Sequence, residues 1–351
     1  MSKGNNDNNM LQAPLLSLVM PFYNNPLLVG KMIDSILDNT FTDWELLAVD
    51  DGSSEETLCY LERYKGDKRI KIISREVLPK GAQTCRNVGF EHASGEYIMF
   101  VDSDDYLTPS CLETRVAAII DNKDCDFMVF PSGVVLNDRF IPDAAENIYG
   151  YDVYGNDLKS FARRELPFIV WSNIYRASSL KRSGIIWDTE LLSLQDADYN
   201  VRSILAGLKY KYVRTSPDYG YRISQNDGSV SKNIMSEKHF RSHLHASRKM
   251  FENYQKCFGH KYDKYVFQGV LRLYNNIFTN EVKNDMALDM VSVVKQYNGL
   301  YGMLFSLQVH LTFALSSVLP AKTARQIPMA FYLLCFEWRK RKCRKRIVVV
   351  Q

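Results

Sequence analysis

The chain lacks the cysteine spacing on which zinc sites and disulfide frameworks depend. Its 7 cysteines are odd in number, are scattered between Cys59 and Cys343, and form no Cys-x-x-Cys pair. Structural zinc sites need closely spaced ligands and disulfide-rich domains need a dense, paired set, so both classes are disfavoured. Scattered, unpaired thiols are typical of a reducing compartment, and we expect a cytoplasmic protein.

The chain also lacks a strong excess of charge. A formal net charge of +4 over 351 residues does not indicate a nucleic acid partner. Much of the positive excess lies in one segment, RKRKCRKR (339–346), so the rest of the chain is close to neutral. Since 46% of the residues are hydrophobic and 24% are charged, we expect disorder only in the polar leader 1–14. The short apolar run after it is interpreted as a strand and not as a signal peptide.

Two common nucleotide-binding motifs are missing. Neither GxxxxGK[ST] nor GxGxxG occurs, which counts against a P-loop ATPase and a dinucleotide-dependent dehydrogenase. Residues 16–136 instead alternate between apolar strand patterns and helical patterns. This alternation predicts an α/β fold with a mostly parallel sheet and helices on both faces. Ligands of such sheets bind at the carboxyl ends of the strands.

One predicted strand runs directly into three carboxylates. In YIMFVDSDDYL (97–107), the apolar run is followed by Asp102, Asp104 and Asp105. Clustered carboxylates repel one another, and burying an ionised group is costly, so a positive partner or full hydration is required. A divalent cation with a diphosphate meets this requirement, because such an ion binds one or two carboxylates and leaves its other positions to phosphate oxygens and water.

A second acidic cluster follows the strand predicted over 44–50. The segment VDDGSS (49–54) contains Asp50 and Asp51, and a carboxylate there could accept a hydrogen from a nucleotide base, such as the imide of uracil. Alone, DDGS could be an ordinary turn, and a DxD triplet is common in surface loops. Because both clusters end strands of one parallel sheet, they favour a single ligand site at one edge.

Taken together, these motifs resemble the N-terminal half of inverting glycosyltransferases of family 2, which have the GT-A fold. The resemblance rests on four segments in the family's order and spacing: LSLVMPFYN (16–24), VDDGSS (49–54), GAQTCRNVGF (81–90) and SGEYIMFVDSDDYLTP (94–109). It implies a GT-A domain over 15–230, with a nucleotide-sugar half (15–136) and an acceptor half (137–230). A largely helical region with the basic tail is expected over 231–351.

The resemblance implies a nucleotide-diphosphate sugar donor, usually with a uridine base, bound with Mn²⁺ or Mg²⁺. By position, the residues implied for the base, ribose and nucleotide are Pro21, Tyr23, Asp50 or Asp51, Arg86 and Asp102. Asp104 and Asp102 are the implied metal ligands. Asp105 is expected to be a solvated neighbour or to support the metal ligands from behind.

Inverting transfer needs a base that takes the proton of the acceptor hydroxyl. In this family the base usually lies in a Glu-Asp pair that opens a helix, and LQDADYNVRSILAG (194–207) resembles that segment with Gln195 where Glu is common. Asp196 is the implied base, at a helix start where the dipole favours its ionised form, and Asp198 is the rival. The alternative is that Asp196 is merely an N-terminal helix carboxylate.

Two further segments resemble acceptor-side parts of the family, VWSNIYR (170–176) and YGYRISQNDGSVS (219–231). Trp171 is expected either to stack on a sugar face or to belong to the core. Arg222 and Ser229 are expected either to close over the diphosphate, where an Arg fork can bind two oxygens, or to lie in an ordinary surface loop.

The sequence also lacks the QxxRW motif and the multiple spans of processive synthases, so we expect an enzyme that adds one sugar at a time.

LYGMLFSLQVHLTFALSSVL (300–319) is nevertheless a charge-free run about long enough to span a bilayer. It could be a membrane span, a packed helical hairpin, or part of an in-plane pair of helices whose basic tail contacts anionic headgroups. The last interpretation is favoured, with peripheral attachment at the inner face of the cell membrane.

The leading hypothesis is a metal-dependent inverting glycosyltransferase, a hexosyl- or N-acetylhexosaminyl-transferase. It would move one sugar from a nucleotide-diphosphate donor, expected to be a UDP sugar, to a glycan or lipid-linked saccharide acceptor in surface polysaccharide synthesis. A non-catalytic nucleotide-sugar or glycan-binding module on the same fold is the alternative, and Gln195 keeps it open. A nucleotidyltransferase is disfavoured because no basic, Gly-rich loop follows the first predicted strand.

Overall fold

The computed structural model describes residues 13–142, 148–223, 236–277 and 284–347, so most of the expected leader and Ser229 lie outside the described residues. Within these ranges the strands are β1 (Leu16–Phe22), β2 (Trp44–Asp50), β3 (Ile70–Ser74), β4 (Tyr97–Phe100), β5 (Tyr106–Leu107), β6 (Phe127–Val129), β7 (Ser132–Leu136), β8 (Arg139–Ile141), β9 (Asn173–Arg176), β10 (Tyr210–Tyr212) and β11 (Tyr219–Arg222). The α-helices are α1 (Pro26–Leu37), α2 (Glu55–Leu61), α3 (Ala82–His92), α4 (Cys111–Asp121), α5 (Asp157–Ala162), α6 (Ala177–Ser183), α7 (Gln195–Leu205), α8 (Glu237–Phe258), α9 (Asp263–Ile277), α10 (Asn284–Tyr297), α11 (Gly299–Ser316) and α12 (Ala321–Arg344).

The main sheet has the strand order β10-β6-β9-β4-β1-β2-β3. Strand β9 runs antiparallel to both of its neighbours, and the other neighbouring pairs are parallel. This confirms the predicted mostly parallel α/β architecture. Because β1 lies between β2 and β4, the acidic segments that follow β2 and β4 meet at one edge, on either side of the end of β1.

Both faces of this sheet are buried, as the near-continuous apolar strands predict. In β1, Leu16, Leu18 and Met20 belong to one hydrophobic cluster, whereas Val19 belongs to a second cluster on the opposite face. Alternation of side chains along a strand explains this division. The second cluster also contains buried aromatic residues of α8, α9 and α11: Phe251, Tyr274 and Phe305. The C-terminal helices therefore share a continuous core with one face of the sheet.

A small second sheet, ordered β5-β11-β7-β8, brings β11 beside the acidic segment after β4. A buried ion pair fixes this approach: Arg115 of α4 donates to both carboxylate oxygens of Asp218, at 2.6 and 3.0 Å, just before β11. The same guanidinium donates to the main-chain oxygen of Trp171 at 2.7 Å. Because each of its three nitrogens donates to an oxygen, this buried charge is tolerable and positions both segments.

The apolar run 300–319 forms α11 and the turn that leads into α12, and α11 packs against α10 and α12. One face of α11 buries Phe305 and Val309, while Leu300 and Leu307 on the other face are 60% and 69% exposed. In the part of the chain that the structure describes, no helix has the length and apolar character needed to cross a bilayer. The packed hairpin is thus present, and its outer face is apolar.

Candidate active site

A cleft of about 810 Å³ lies at the carboxyl edge of the main sheet. Its walls come from the segments after β1, β2 and β4, from the start of α7, and from β11. The sequence-predicted residues that line it are Pro21, Tyr23, Asp51, Arg86, Asp102, Asp104, Trp171, Asp196 and Arg222. Asp50 and Asp198 do not line it.

Arg86 supplies the positive partner that the acidic cluster requires. Its guanidinium is almost completely buried and donates from Nη2 to Asp102 Oδ1 at 2.5 Å. Nη1 donates to the side-chain oxygen of Gln195 at 3.2 Å. One cation therefore contacts the end of β4 and the start of α7 together, which joins the predicted donor and acceptor sides of the cleft.

Asp104 lies in the same turn as Asp102 and lines the cleft. Burial, together with the nearby charge of Asp102, raises the pKa of Asp104 to about 6. The two side chains present hard oxygen ligands that are mutually repulsive, and this combination suits a divalent cation with oxygen ligands. Asp102 and Asp104 are therefore the described cleft residues that could hold Mn²⁺ or Mg²⁺.

Asp105 is not solvated, so that part of the expectation is wrong. It is 4% exposed and accepts hydrogen bonds from Tyr219 Oη at 2.8 Å and from the backbone N–H of Arg222 at 2.7 Å. Burial and the charges of Asp104 and Asp102 raise its pKa well above the usual range. Asp105 thus fastens β11 to the turn that carries the two metal-ligand candidates.

Arg222 contributes to the same attachment. Its Nε donates to the backbone oxygen of Asp104 at 2.8 Å, and its Nη1 donates to Asp138 Oδ1 at 2.7 Å. The Arg222 side chain therefore lines the cleft while it supports the acidic turn, and it lies at the end of strand β11 rather than in an ordinary surface loop.

Asp51, and not Asp50, faces the cleft. Oδ1 of Asp51 accepts from Arg75 Nε at 2.6 Å and from the Gly81 backbone at 3.0 Å. Asp50 is buried and accepts from the Ser53 backbone at 2.9 Å, which stabilises the turn after β2. Arg75 was not among the predicted site residues, although its position directly after β3, at the same sheet edge, is a usable signal.

Asp196 and Asp198 have different environments. Asp196 lines the cleft at the start of α7, and its pKa is raised to about 6 because burial and the Asp102 charge outweigh the opposing effect of Arg86. Asp198 is buried and paired with Arg202 Nη2 at 2.6 Å and Lys249 Nζ at 3.0 Å. These pairs make Asp198 a link between α7 and α8, so it lacks the cleft position that a rival base needs.

Trp171 forms part of the cleft floor. It is 5% exposed and stacks on Tyr219 and Tyr221, with ring centroids 4.9 and 5.5 Å apart. Its ring is thus largely covered by protein, which agrees with the core interpretation.

Helix α8 contributes residues that the sequence does not reveal. Ser242 Oγ accepts from the backbone N–H groups of Leu192 and Ser193, at 2.9 and 3.2 Å, and so holds the segment before α7. His243 is 5% exposed and lines the cleft, and burial together with the charge of Arg164 lowers its pKa to about 3. No motif marks these residues, because α8 lies beyond the segments of family resemblance.

Comparison with known proteins identifies a similar family and similar structures. Residues 17–182 match the model of Glycosyl transferase family 2. The crystal structure of Staphylococcus aureus TarS 1-349 in complex with UDP-GlcNAc is similar over 92% of this chain and 91% of that chain, with a TM-score of 0.64 and 20% identity. This likeness confirms the predicted GT-A fold.

Curated relatives are named as glycosyltransferases. The poly(ribitol-phosphate) beta-N-acetylglucosaminyltransferase TarS of S. aureus is 26% identical over 226 residues, which are 64% of this chain and 38% of that protein. The Escherichia coli protein WfgD, named UDP-Glc:alpha-D-GlcNAc-diphosphoundecaprenol beta-1,3-glucosyltransferase, is 38% identical over 108 residues, which are 31% of this chain and 42% of that protein. The chain thus spans less than half the length of each of these two relatives.

The raised pKa values of Asp104 and Asp196 predict a pH-dependent contribution to stability. Their ordinary value is 3.8, so between about pH 4 and 6 the folded protein binds more protons at these groups than the unfolded chain does. As the pH falls from about 7 to about 5, the free energy of unfolding of the wild type should increase relative to an Asp104→Asn/Asp196→Asn variant.

Urea midpoints in metal-free buffer across this range measure the difference. The variant is the necessary reference because His243, whose pKa is lowered to about 3, contributes with the opposite sign below about pH 6.5. A stability difference that stays constant with pH would contradict the raised pKa values.

Proposed function

We propose that the protein is a metal-dependent inverting glycosyltransferase that moves a single sugar from a nucleotide-diphosphate sugar, expected to carry UDP, to a glycan or lipid-linked saccharide acceptor in surface polysaccharide synthesis. The observation that carries this proposal is the gathering of Asp102, Asp104 and Asp196 in one cleft, with the first two inside the segment that matches family 2. The names of TarS and WfgD, which specify sugar transfer to a polymer and to a lipid diphosphate, support the class of acceptor.

On the donor side, Pro21, Tyr23 and Asp51 border the base and Arg86 supports the nucleotide. Asp102 and Asp104 would hold Mn²⁺ or Mg²⁺, which would offset the charge of the departing diphosphate. Burial and repulsion from Asp102, which together raise the pKa of Asp104, support a cation site there. Arg222 keeps the turn in place through the Asp104 backbone.

On the acceptor side, Asp196 takes the proton of the attacking hydroxyl, which approaches the anomeric carbon from the face opposite the diphosphate. A base is most effective when its pKa lies near the working pH, and the value of about 6 for Asp196 meets this condition. Arg86 keeps the value from rising further. Gln195 serves this arrangement as a neutral acceptor for Arg86, which supports catalysis over the alternative of a non-catalytic binding module.

The protein is proposed to bind peripherally to an anionic membrane, at its cytoplasmic face. Helices α11 and α12 expose apolar side chains on their outer faces: Leu300, Met303, Leu304, Leu307 and Leu311, and Ile327, Phe331, Leu334 and Trp338. The basic segment 339–346 adjoins them. Apolar faces bordered by Lys and Arg favour in-plane binding to anionic bilayers.

The Asp104→Ala variant should lose metal-dependent donor binding while it keeps its fold, because one of the two proposed metal ligands is removed. Calorimetric titration of UDP-sugars with Mn²⁺, with Mg²⁺ and with a chelator measures this loss. Asp124→Ala, at an exposed carboxylate outside the cleft, is the matched control and should bind as the wild type does. A fully active Asp104→Ala protein would refute the metal assignment.

The Asp196→Asn variant should bind the donor as the wild type does but transfer sugar about 10²- to 10⁴-fold more slowly, since general base catalysis contributes about that factor. Donor affinity and single-turnover transfer to a saccharide acceptor measure the two effects separately. Loss of nucleotide binding would instead place Asp196 in the donor site. A wild type that binds donor but never turns it over would favour the binding module.

Replacing Leu307 and Phe331 together by Ser should weaken binding to anionic vesicles by about tenfold or more, because two exposed apolar side chains are lost from the contact face. Co-sedimentation with anionic and with zwitterionic vesicles measures the effect. Ile186→Ser removes an apolar side chain of similar exposure elsewhere, 62%, and should bind unchanged. Equal binding of all three proteins would exclude these helices as the contact.

A further inference from the structure

A second, smaller cavity of about 80 Å³ lies next to the cleft, between α12 and the segment 164–166. Tyr149 lines both the cavity and the cleft. Arg164 lines the cavity and places Nη1 3.3 Å from Nδ1 of His243, which lines the cleft. The two spaces therefore share a wall.

The cavity is lined by an excess of positive charge, and we call it the basic pocket. Its cationic side chains are those of Arg164, Arg272, Arg339 and Lys340. Glu165 is the carboxylate in the lining, and both of its oxygens are already paired, with Arg339 Nε at 2.8 Å and with Arg163 Nη1 at 3.8 Å. Among the described residues, one carboxylate thus faces four lining cations.

Several donors of the basic pocket have weak partners or none. Nη2 of Arg339 is buried and has no hydrogen-bond partner among the described residues. Arg164 donates to His243 and to Ser247 Oγ, both of them neutral, rather than to a carboxylate. Burial and the charge of Arg272 lower the pKa of Arg164 to about 9. Buried, unsatisfied guanidinium groups are costly, and a bound anion would remove that cost.

The size of the pocket limits the anion. A cavity that holds one water molecule needs about 10–15 Å³ on the same measure, so a cavity of about 80 Å³ has room for a small polyatomic anion. Guanidinium groups bind phosphate oxygens in pairs, and three Arg side chains with one Lys suit a single phosphate.

We propose that the basic pocket binds a phosphate group of the acceptor. It thereby holds an acceptor that carries a phosphodiester or diphosphate while the reacting hydroxyl lies in the cleft at Asp196. The inference rests on the proposed function and adds to it that the acceptor is anionic. The phosphate belongs either to a lipid diphosphate or to a polyol-phosphate polymer, since both present the same chemistry to the pocket.

Binding of inorganic phosphate tests the pocket without any catalytic step. Calorimetry should show Arg339→Gln and Lys340→Gln binding phosphate about tenfold more weakly than the wild type, since a charge-assisted hydrogen bond is lost. Lys345→Gln makes the same charge change at an exposed position of the basic tail outside the pocket and should bind as the wild type does. Equal phosphate affinity in the wild type and all three variants overturns the proposal. If Arg339→Gln does not fold, the comparison of Lys340→Gln with the wild type still tests phosphate binding by the pocket.

Acceptor kinetics then identify the source of the phosphate. The KM of Arg339→Gln should increase about tenfold for a phosphate-bearing acceptor, relative to a saccharide with the same sugar terminus and no phosphate. Parallel assays with a detergent-dispersed lipid diphosphate and with a soluble polyol-phosphate oligomer show which acceptor depends on Arg339. If the KM of Arg339→Gln increases equally for the acceptor with phosphate and the acceptor without it, the pocket is not a phosphate subsite. If the wild type turns over no donor, the proposed function is refuted. Calorimetry still shows in that case whether the basic pocket binds phosphate.

Discussion

The guanidinium of Arg86 is the interaction on which the cleft depends. It reaches from α3 to Asp102 after β4 and to Gln195 at the start of α7, so a single side chain links three segments that are distant in sequence. Four carboxylates line the same cleft, those of Asp102, Asp104, Asp105 and Asp196. Arg222, the other nearby guanidinium, donates to the Asp104 backbone and to Asp138. Without Arg86 the acidic turn and α7 would repel each other.

The hydrogen bond from Arg86 explains why Gln is suitable at position 195, where the family usually has Glu. A Glu at this position would also accept from Arg86, but it would add a negative charge beside Asp196. It would also compete for Arg86, which interacts with both Asp102 and Asp196. The neutral amide preserves the hydrogen bond and leaves the charge of Arg86 to these two carboxylates. The pKa of Asp196 is consequently limited to about 6 despite burial, a range in which a carboxylate still works as a base near neutral pH.

The sequence predicts the strands, helices and sheet edge because each depends on local periodicity, and β1 to β4 follow that pattern. It could not choose between Asp50 and Asp51, since adjacent residues point in opposite directions and both faces of this sheet are buried. It could not show that Asp105 is buried, because its partner Tyr219 comes from a second sheet. The pairing of Asp198 with Lys249 likewise depends on α8, which packs against α7 only in the folded chain.

Helix α12 contributes to both the proposed membrane face and the proposed acceptor site, because different faces of the helix carry the two sets of residues. Residues spaced by three and four positions share one face, so Phe331, Leu334 and Trp338 point outwards together. Arg339 and Lys340 follow directly in sequence but lie on the side of the helix that lines the basic pocket. In the proposed in-plane orientation, the apolar stripe would enter the bilayer while these cations would remain at the level of the headgroups. That is the depth at which the diphosphate of a lipid-linked saccharide lies, so membrane contact and acceptor binding would reinforce each other along one helix.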